Sequence, residues 1–256
     1  MRTLKMLTVA IALAGASTLP LTGALAKPAD VAAAVANSAA RSADNVKLDE
    51  GRKPAEVLEF LGLQRGAQAI DMFGGNRYWA EIMAPAIGPR GYVTVWEPTQ
   101  FYDKEAADKF AAFQQTTPNT HLMVTPFEAL ALPTNAYDFM MINLNYHDTY
   151  WESAKYGVKR MDPNDFLKTV YAAMKPGGVV GVIDHVANPG DTRENVEKYH
   201  RIDPATVKAD FERAGFKLEA ESDILRNPAD DHSLLVFNPQ IRGQTDRFIY
   251  KFRKPK

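Results

Sequence analysis

The chain has no cysteine among its 256 residues. That excludes a disulfide framework, thiolate catalysis and cysteine-ligated metal centres. It also lacks an excess of charge of either sign, with 30 basic and 31 acidic residues. No basic patch advertises a nucleic acid or an anionic membrane surface as partner. Nor is there an apolar run long enough to cross a bilayer, which takes about 20 residues. The longest, Met6 to Ala16, is broken by Thr8 and Gly15. It follows a basic start at Arg2 and Lys5 and precedes Ala24-Leu25-Ala26, a small-x-small signal. This is the layout of a cleavable secretory leader covering 1–26, cut after Ala26, with no twin-arginine pair. Its removal leaves no stable membrane span and 28 basic residues against 31 acidic, a net −3. The expected location is periplasmic or secreted.

What is present is a regular alternation of periods. Residues 27–64 read as a helical N-terminal extension: an alanine-rich stretch from Asp30 to Lys47, then a helix from Lys53 to Leu61 stopped by Gly62. Residues 65–256 read as one α/β domain. Apolar runs at Ala67–Phe73, Tyr92–Trp96, His121–Val124, Tyr137–Leu144 and Val179–Asp184 predict five strands. Between them, Arg77–Ala86, Asp103–Gln115 and a segment opened by Asp162-Pro163 have helical spacing, and Lys175-Pro176-Gly177-Gly178 is read as the stop of the last. A further helix follows Asp203-Pro204. Phe216–Leu225 and Arg247–Arg253 then predict two strands with no helix between them. Such an order predicts a doubly wound, mostly parallel seven-stranded sheet with a C-terminal antiparallel pair.

In such a sheet ligands lie beyond the carboxyl ends of the strands. After the first strand stands Asp71-Met72-Phe73-Gly74-Gly75-Asn76, and after the second, Glu97. Glycines let a backbone approach a ligand closely, and an acidic residue at the end of the second strand can accept both hydroxyls of a ribose. Each feature alone is equally an ordinary turn or a solvated strand end; in order on consecutive strands they point to nucleoside binding. Together with Met174-Lys175-Pro176-Gly177-Gly178, these segments resemble the motifs of class I S-adenosylmethionine-dependent methyltransferases. Tyr199-His200-Arg201-Ile202-Asp203 and Arg226-Asn227-Pro228-Ala229-Asp230-Asp231 add a likeness to a bacterial group of exported methyltransferases. The resemblance covers roughly 28–255. It implies S-adenosyl-L-methionine as cofactor, with Asp71, Gly74, Gly75 and Asn76 around its amino acid and sugar and Glu97 on the ribose. Phe127 and Glu128 would sit near the adenine, and Asn143 beside the donor. The chain departs from the family at Phe73 and Asn76, where smaller residues are common.

The fourth strand ends in Asn143-Leu144-Asn145-Tyr146-His147-Asp148, the place where related enzymes meet the transferred methyl group. His147 is the candidate general base, with Asp148 and Tyr146 beside it. Asp184-His185 ends the fifth strand in the same layer. Two His-Asp neighbourhoods can bind a metal, but their spacing does not demand one, and no metal ligand is assigned. Tyr150–Met161 reads as a lid, and the long 226–246 connection as a second cover or a homodimer contact. Methyl transfer to a small-molecule acceptor is the leading expectation. The alternatives are a non-catalytic exported nucleoside- or small-molecule-binding protein on the same fold, and a nicotinamide oxidoreductase, which would carry a fuller glycine fingerprint.

Overall fold

The computed structural model describes residues 27–256; the leader expected at 1–26 lies outside them. Four short helices open the described chain, α1 (Val31–Ala36), α2 (Ala43–Val46), α3 (Asp49–Arg52) and α4 (Pro54–Leu61). Strand and helix then alternate through β1 (Gln68–Met72), α5 (Tyr78–Ile87), β2 (Tyr92–Pro98), α6 (Lys104–Thr116), β3 (Thr120–Thr125), β4 (Tyr137–Asn143), α7 (Pro163–Ala173) and β5 (Met174–His185). Helices α8 (Thr192–Tyr199) and α9 (Pro204–Arg213) precede β6 (Lys217–Ser222) and β7 (Arg247–Arg253). Local chemistry sets these limits. Asp162 and Asp203 accept backbone N–H groups ahead of a first-turn proline in α7 and α9, and Gly62 ends α4 in a left-handed conformation.

The seven strands form one sheet in the order β3-β2-β1-β4-β5-β7-β6. Neighbours from β3 to β5 are parallel, and β7 runs antiparallel to both β5 and β6. Because successive strand side chains point to opposite faces, each strand feeds two cores. Ala69, Phe139 and Met141 pack with α1, α4 and α5 on one face. Ile70, Met72, Met140 and Ile142 pack with α7 and α9 on the other. Val31, Ala34, Val57, Leu58 and Leu61 are buried in the first of these cores, so the N-terminal helices are integral to the layer that backs β1.

Two details differ from the sequence expectation. Helix α7 stops at Ala173, before Lys175-Pro176-Gly177-Gly178, which instead opens β5 across a register irregularity opposite Tyr137–Phe139. The backbone is crowded there, both locally and across to β4: a Cβ on Gly178 would stand 2.9 Å from the Lys175 carbonyl and 3.2 Å from that of Tyr137. Helix α8 is the second. It buries only Val196, so it has no apolar stripe to announce it.

Candidate functional site

The strand order reverses between β1 and β4, and the loops that follow these two strands face each other across the carboxyl edge of the sheet. After β1 the backbone is folded tightly onto two carboxylates. The Gly75 N–H donates to Glu97 Oε2 at 2.8 Å, and the Gly74 N–H to the Trp96 carbonyl at 3.0 Å. A Cβ on Gly74 would lie 2.6 Å from Asp71 Oδ2, and one on Gly75 would lie 2.5 Å from the Glu97 carboxyl carbon. Neither position admits a side chain without moving a carboxylate.

Both acids are buried at the edge of the crevice. Asp71 is 1% exposed and its Oδ2 has no hydrogen-bond partner. Burial raises its pKa to about 8, opposed by a backbone hydrogen bond and the Arg52 charge. Burial likewise lifts Glu97 to about 7 against the Gly75 N–H. Arg52 stacks 4.3 Å above the Tyr78 ring and joins Asp71, Asn76 and Asn143 around a small cavity of about 80 Å³. Asn76 anchors the loop. Its Oδ1 accepts from the Tyr78 N–H at 3.0 Å, and its carbonyl accepts from Asn45 Nδ2 at 2.8 Å.

Phe73 takes a left-handed conformation, φ 57°, where a glycine would be at ease. Its ring packs edge-on against Trp96 and Phe127, with centroids 4.8 and 5.3 Å away. Leu144, after β4, is left-handed too, at φ 61°. Phe73, Leu144 and Asn145 line both the small cavity and its larger neighbour of about 580 Å³, so the two spaces abut.

The larger cavity holds Glu97 and Phe101 at one side and a histidine cluster at the other. A 3-10 turn, Tyr146–Tyr150, presents His147 and Asp148. The His147 ring is pinned: Nδ1 meets Asp184 Oδ1 at 2.8 Å, while its backbone N–H donates to Asp184 Oδ2 at 2.9 Å. Its Nε2 stands 3.5 Å from Asp148 Oδ1. Burial alone would lower the pKa of His147, but Asp184 and Asp148 outweigh it and hold the ring up at about 9. His185 is held by Thr245, 2.7 Å from its Nδ1, and burial pushes its pKa well down. His200 stands at φ 49° just after α8, and its pKa is also lowered by burial and by the neighbouring His147 charge.

Of the residues singled out in the sequence, Asp71, Gly74, Gly75, Asn76, Glu97, Asn143, His147 and Asp148 converge on these two spaces. Three do not. The Tyr146 hydroxyl donates to Asp210 at 2.8 Å inside the α7–α9 core. Phe127 is 1% exposed, its ring beneath Phe73. Glu128 pairs with Lys159 and accepts from Gln100, outside the cavity lining. The structure adds Arg52, Asn145, His200 and Trp151, together with Val236 and Phe237 from the 226–246 connection. His200 falls within a segment that carries the family resemblance, but no spacing rule marks it or Arg52 as cavity-facing. Trp151 and Tyr156 wall the cavity from the expected lid, which Arg193 ties down through the Tyr150 and Met161 carbonyls at 2.7 and 3.0 Å.

This fold is that of class I S-adenosylmethionine-dependent methyltransferases. A methyltransferase of that class from Aquifex aeolicus superposes with a TM-score of 0.56 at 16% identity, covering 83% of this chain and 93% of that one. The 1,6-didemethyltoxoflavin-N1-methyltransferase of Burkholderia thailandensis, solved with S-adenosylhomocysteine, superposes with a TM-score of 0.53 at 14% identity, covering 83% and 80%. In sequence the chain is 25% identical over 130 residues to the demethylmenaquinone methyltransferase of Listeria monocytogenes, half of this chain. The chain spans about half the length of the curated relatives it matches, 49% in that case. No protein-family model matches it.

Proposed function

We propose that the protein transfers a methyl group from S-adenosylmethionine to a small-molecule acceptor bound in the 580 Å³ cavity. The observation that carries this reading is the Glu97 carboxylate, buried at the crevice with one oxygen on the Gly75 N–H and the other free to accept from paired ribose hydroxyls. The residues around it suit the rest of the donor. Arg52 offers a guanidinium with no hydrogen-bonding partner among the described residues, matched to a carboxylate. The glycine-backed loop leaves room where side chains would collide. When bound, the donor supplies an electrophilic methyl on a sulfonium. What the chain contributes is alignment of the acceptor, worth more to such a displacement than any one side chain. Trp151, Tyr156 and Phe237 wall the space in which it would lie.

The aromatic walls favour a ring-bearing acceptor, and the near-balanced charge favours a small molecule over nucleic acid. The demethylmenaquinone methyltransferases that the chain resembles act, by name, on a quinone precursor, in keeping with such a ring. No described helix is long and apolar enough to cross a membrane. The leader in the sequence supports export, testable by mass spectrometry: a periplasmic product should begin at Lys27. Calorimetry with S-adenosylmethionine tests the donor site, with Glu97→Ala expected to abolish the heat. No heat with the unaltered protein sinks the reading. Donor that binds but is never consumed with any acceptor would favour the non-catalytic alternative, which Phe73 and Asn76, larger than the family's usual residues, recommend.

A further inference from the structure

We propose that His147, Asp148 and His200 form a binding site for a divalent transition-metal cation, its open coordination positions directed into the acceptor cavity. Their ligand atoms all lie within 4.8 Å of one another. His147 Nε2 and His200 Nδ1 stand 3.5 and 4.0 Å from the same oxygen, Asp148 Oδ1. Ligands about 2.1 Å from a tetrahedral ion are about 3.4 Å apart, so a small contraction closes the site.

Proximity alone is common among acidic and imidazole groups. The second line of evidence is that each ligand is oriented by a partner that leaves the cation-facing atom free. Asp184 takes the Nδ1 side of His147, exposing Nε2. Asn145 Nδ2 donates to Asp148 Oδ2 at 2.8 Å, leaving Oδ1 free. His200 is wedged between Trp151 and Phe237, each with its ring centroid 5.2 Å away, at a left-handed backbone position. Carboxylate–histidine pairing behind a ligand is the usual outer shell of a metal site. Two imidazoles and one carboxylate suit zinc, iron or cobalt better than magnesium or calcium. His185, its ring centroid 6.1 Å from that of His147, lies beside the set and is not part of it.

Three protein ligands leave at least one position for an acceptor hydroxyl oxygen, which the cation would orient and acidify, its proton passing to solvent and a second lone pair staying free to take the methyl. That role rests on the methyl-transfer reading; cation binding does not. The test is titration of chelator-treated full chain with Co(II), followed by its visible absorption, and with Zn(II) by calorimetry. One equivalent should bind. Asp148→Asn and His200→Ala should each weaken it by more than the roughly tenfold expected for Asn145→Ala. His200→Asn, which tolerates the left-handed position, guards against misfolding, and exposed His121→Ala should change nothing. Equal affinity in unaltered protein and Asp148→Asn overturns the site, as does absence of a cobalt spectrum. S-adenosylmethionine calorimetry on the same chelated sample separates the two ideas: heat without a cobalt signal sinks the cation alone, and a cobalt signal without heat sinks the donor reading alone.

Discussion

The two halves of the crevice are built in opposite ways. On the β1–β2 side polar atoms stand unsatisfied: Asp71 Oδ2 has no partner, and Glu97 is held by a single N–H. On the β4–β5 side the carboxylates are already spent on neighbours, Asp184 on His147 and Asp148 on Asn145. A buried group without a partner costs stability that a bound ligand restores. The first half is therefore a receptor awaiting hydrogen-bonding groups, while the second is a preassembled scaffold whose remaining freedom is directed at one point.

The most drastic way to break the contrast is Gly75→Val. A side chain there drives into the Glu97 carboxyl, and donor affinity should fall by about 100-fold or more, roughly 2.8 kcal/mol, in calorimetry. Cobalt binding at the other half should be untouched. Glu97→Gln is milder, a loss of about tenfold, because its hydrogen bonds to the ribose hydroxyls lose their charge assistance but can still form. If Glu97→Gln binds donor as well as the parent, the ribose assignment is wrong.

The unsatisfied half should also respond to pH in two opposed directions. Donor binding needs the Glu97 carboxylate, so affinity should rise as pH increases through about 7, and Glu97→Gln should flatten that rise. Stability of the ligand-free protein should move the other way. Asp71 and Glu97 have folded-state pKa values above their unfolded ones. The native state thus holds protons that the unfolded chain has released, and stability falls as pH climbs from about 4 to 8. Asp71→Asn should reduce that fall in melts taken at pH 5 and pH 8; an unchanged slope would show that Asp71 ionises in the native state as freely as in the unfolded chain. The smallest effect is expected in hydrogen exchange. Donor should slow exchange in 73–77 and 97–101 while leaving 146–150, already braced, nearly unchanged; equal slowing in both would erase the distinction.

The same contrast governs what the amino-acid sequence alone reveals. The sheet and its first ligand loop were legible because they depend on backbone: apolar runs, a glycine pair and an acidic strand end are local signals. Phe73 was legible only as a departure from the smaller residue common in the family; nothing in the sequence says that its backbone is left-handed or that its ring turns inward to Trp96. The histidine cluster was half visible. His147 and His185 follow strands, but His200 arrives from α8, a helix without apolar periodicity. Its one local sign was Asp191 followed three residues later by Glu194, the start of a capping pattern, with the Asp191 side chain accepting from the Glu194 N–H at 2.9 Å. Tyr146 shows the converse limit: its place next to His147 in the chain does not decide which way a 3-10 turn aims it.

Strand β7 lies between β5 and β6, so β6 has no partner in the sheet other than a segment that follows it in the chain. During synthesis Lys217–Ser222 must wait for Arg247–Arg253, and β5, which carries the Asp184 that pins His147, stays an unpaired edge until then. The anchor of the histidine cluster is thereby completed late. A chain emerging from the ribosome would reach its binding-competent state only after almost all of it had been made.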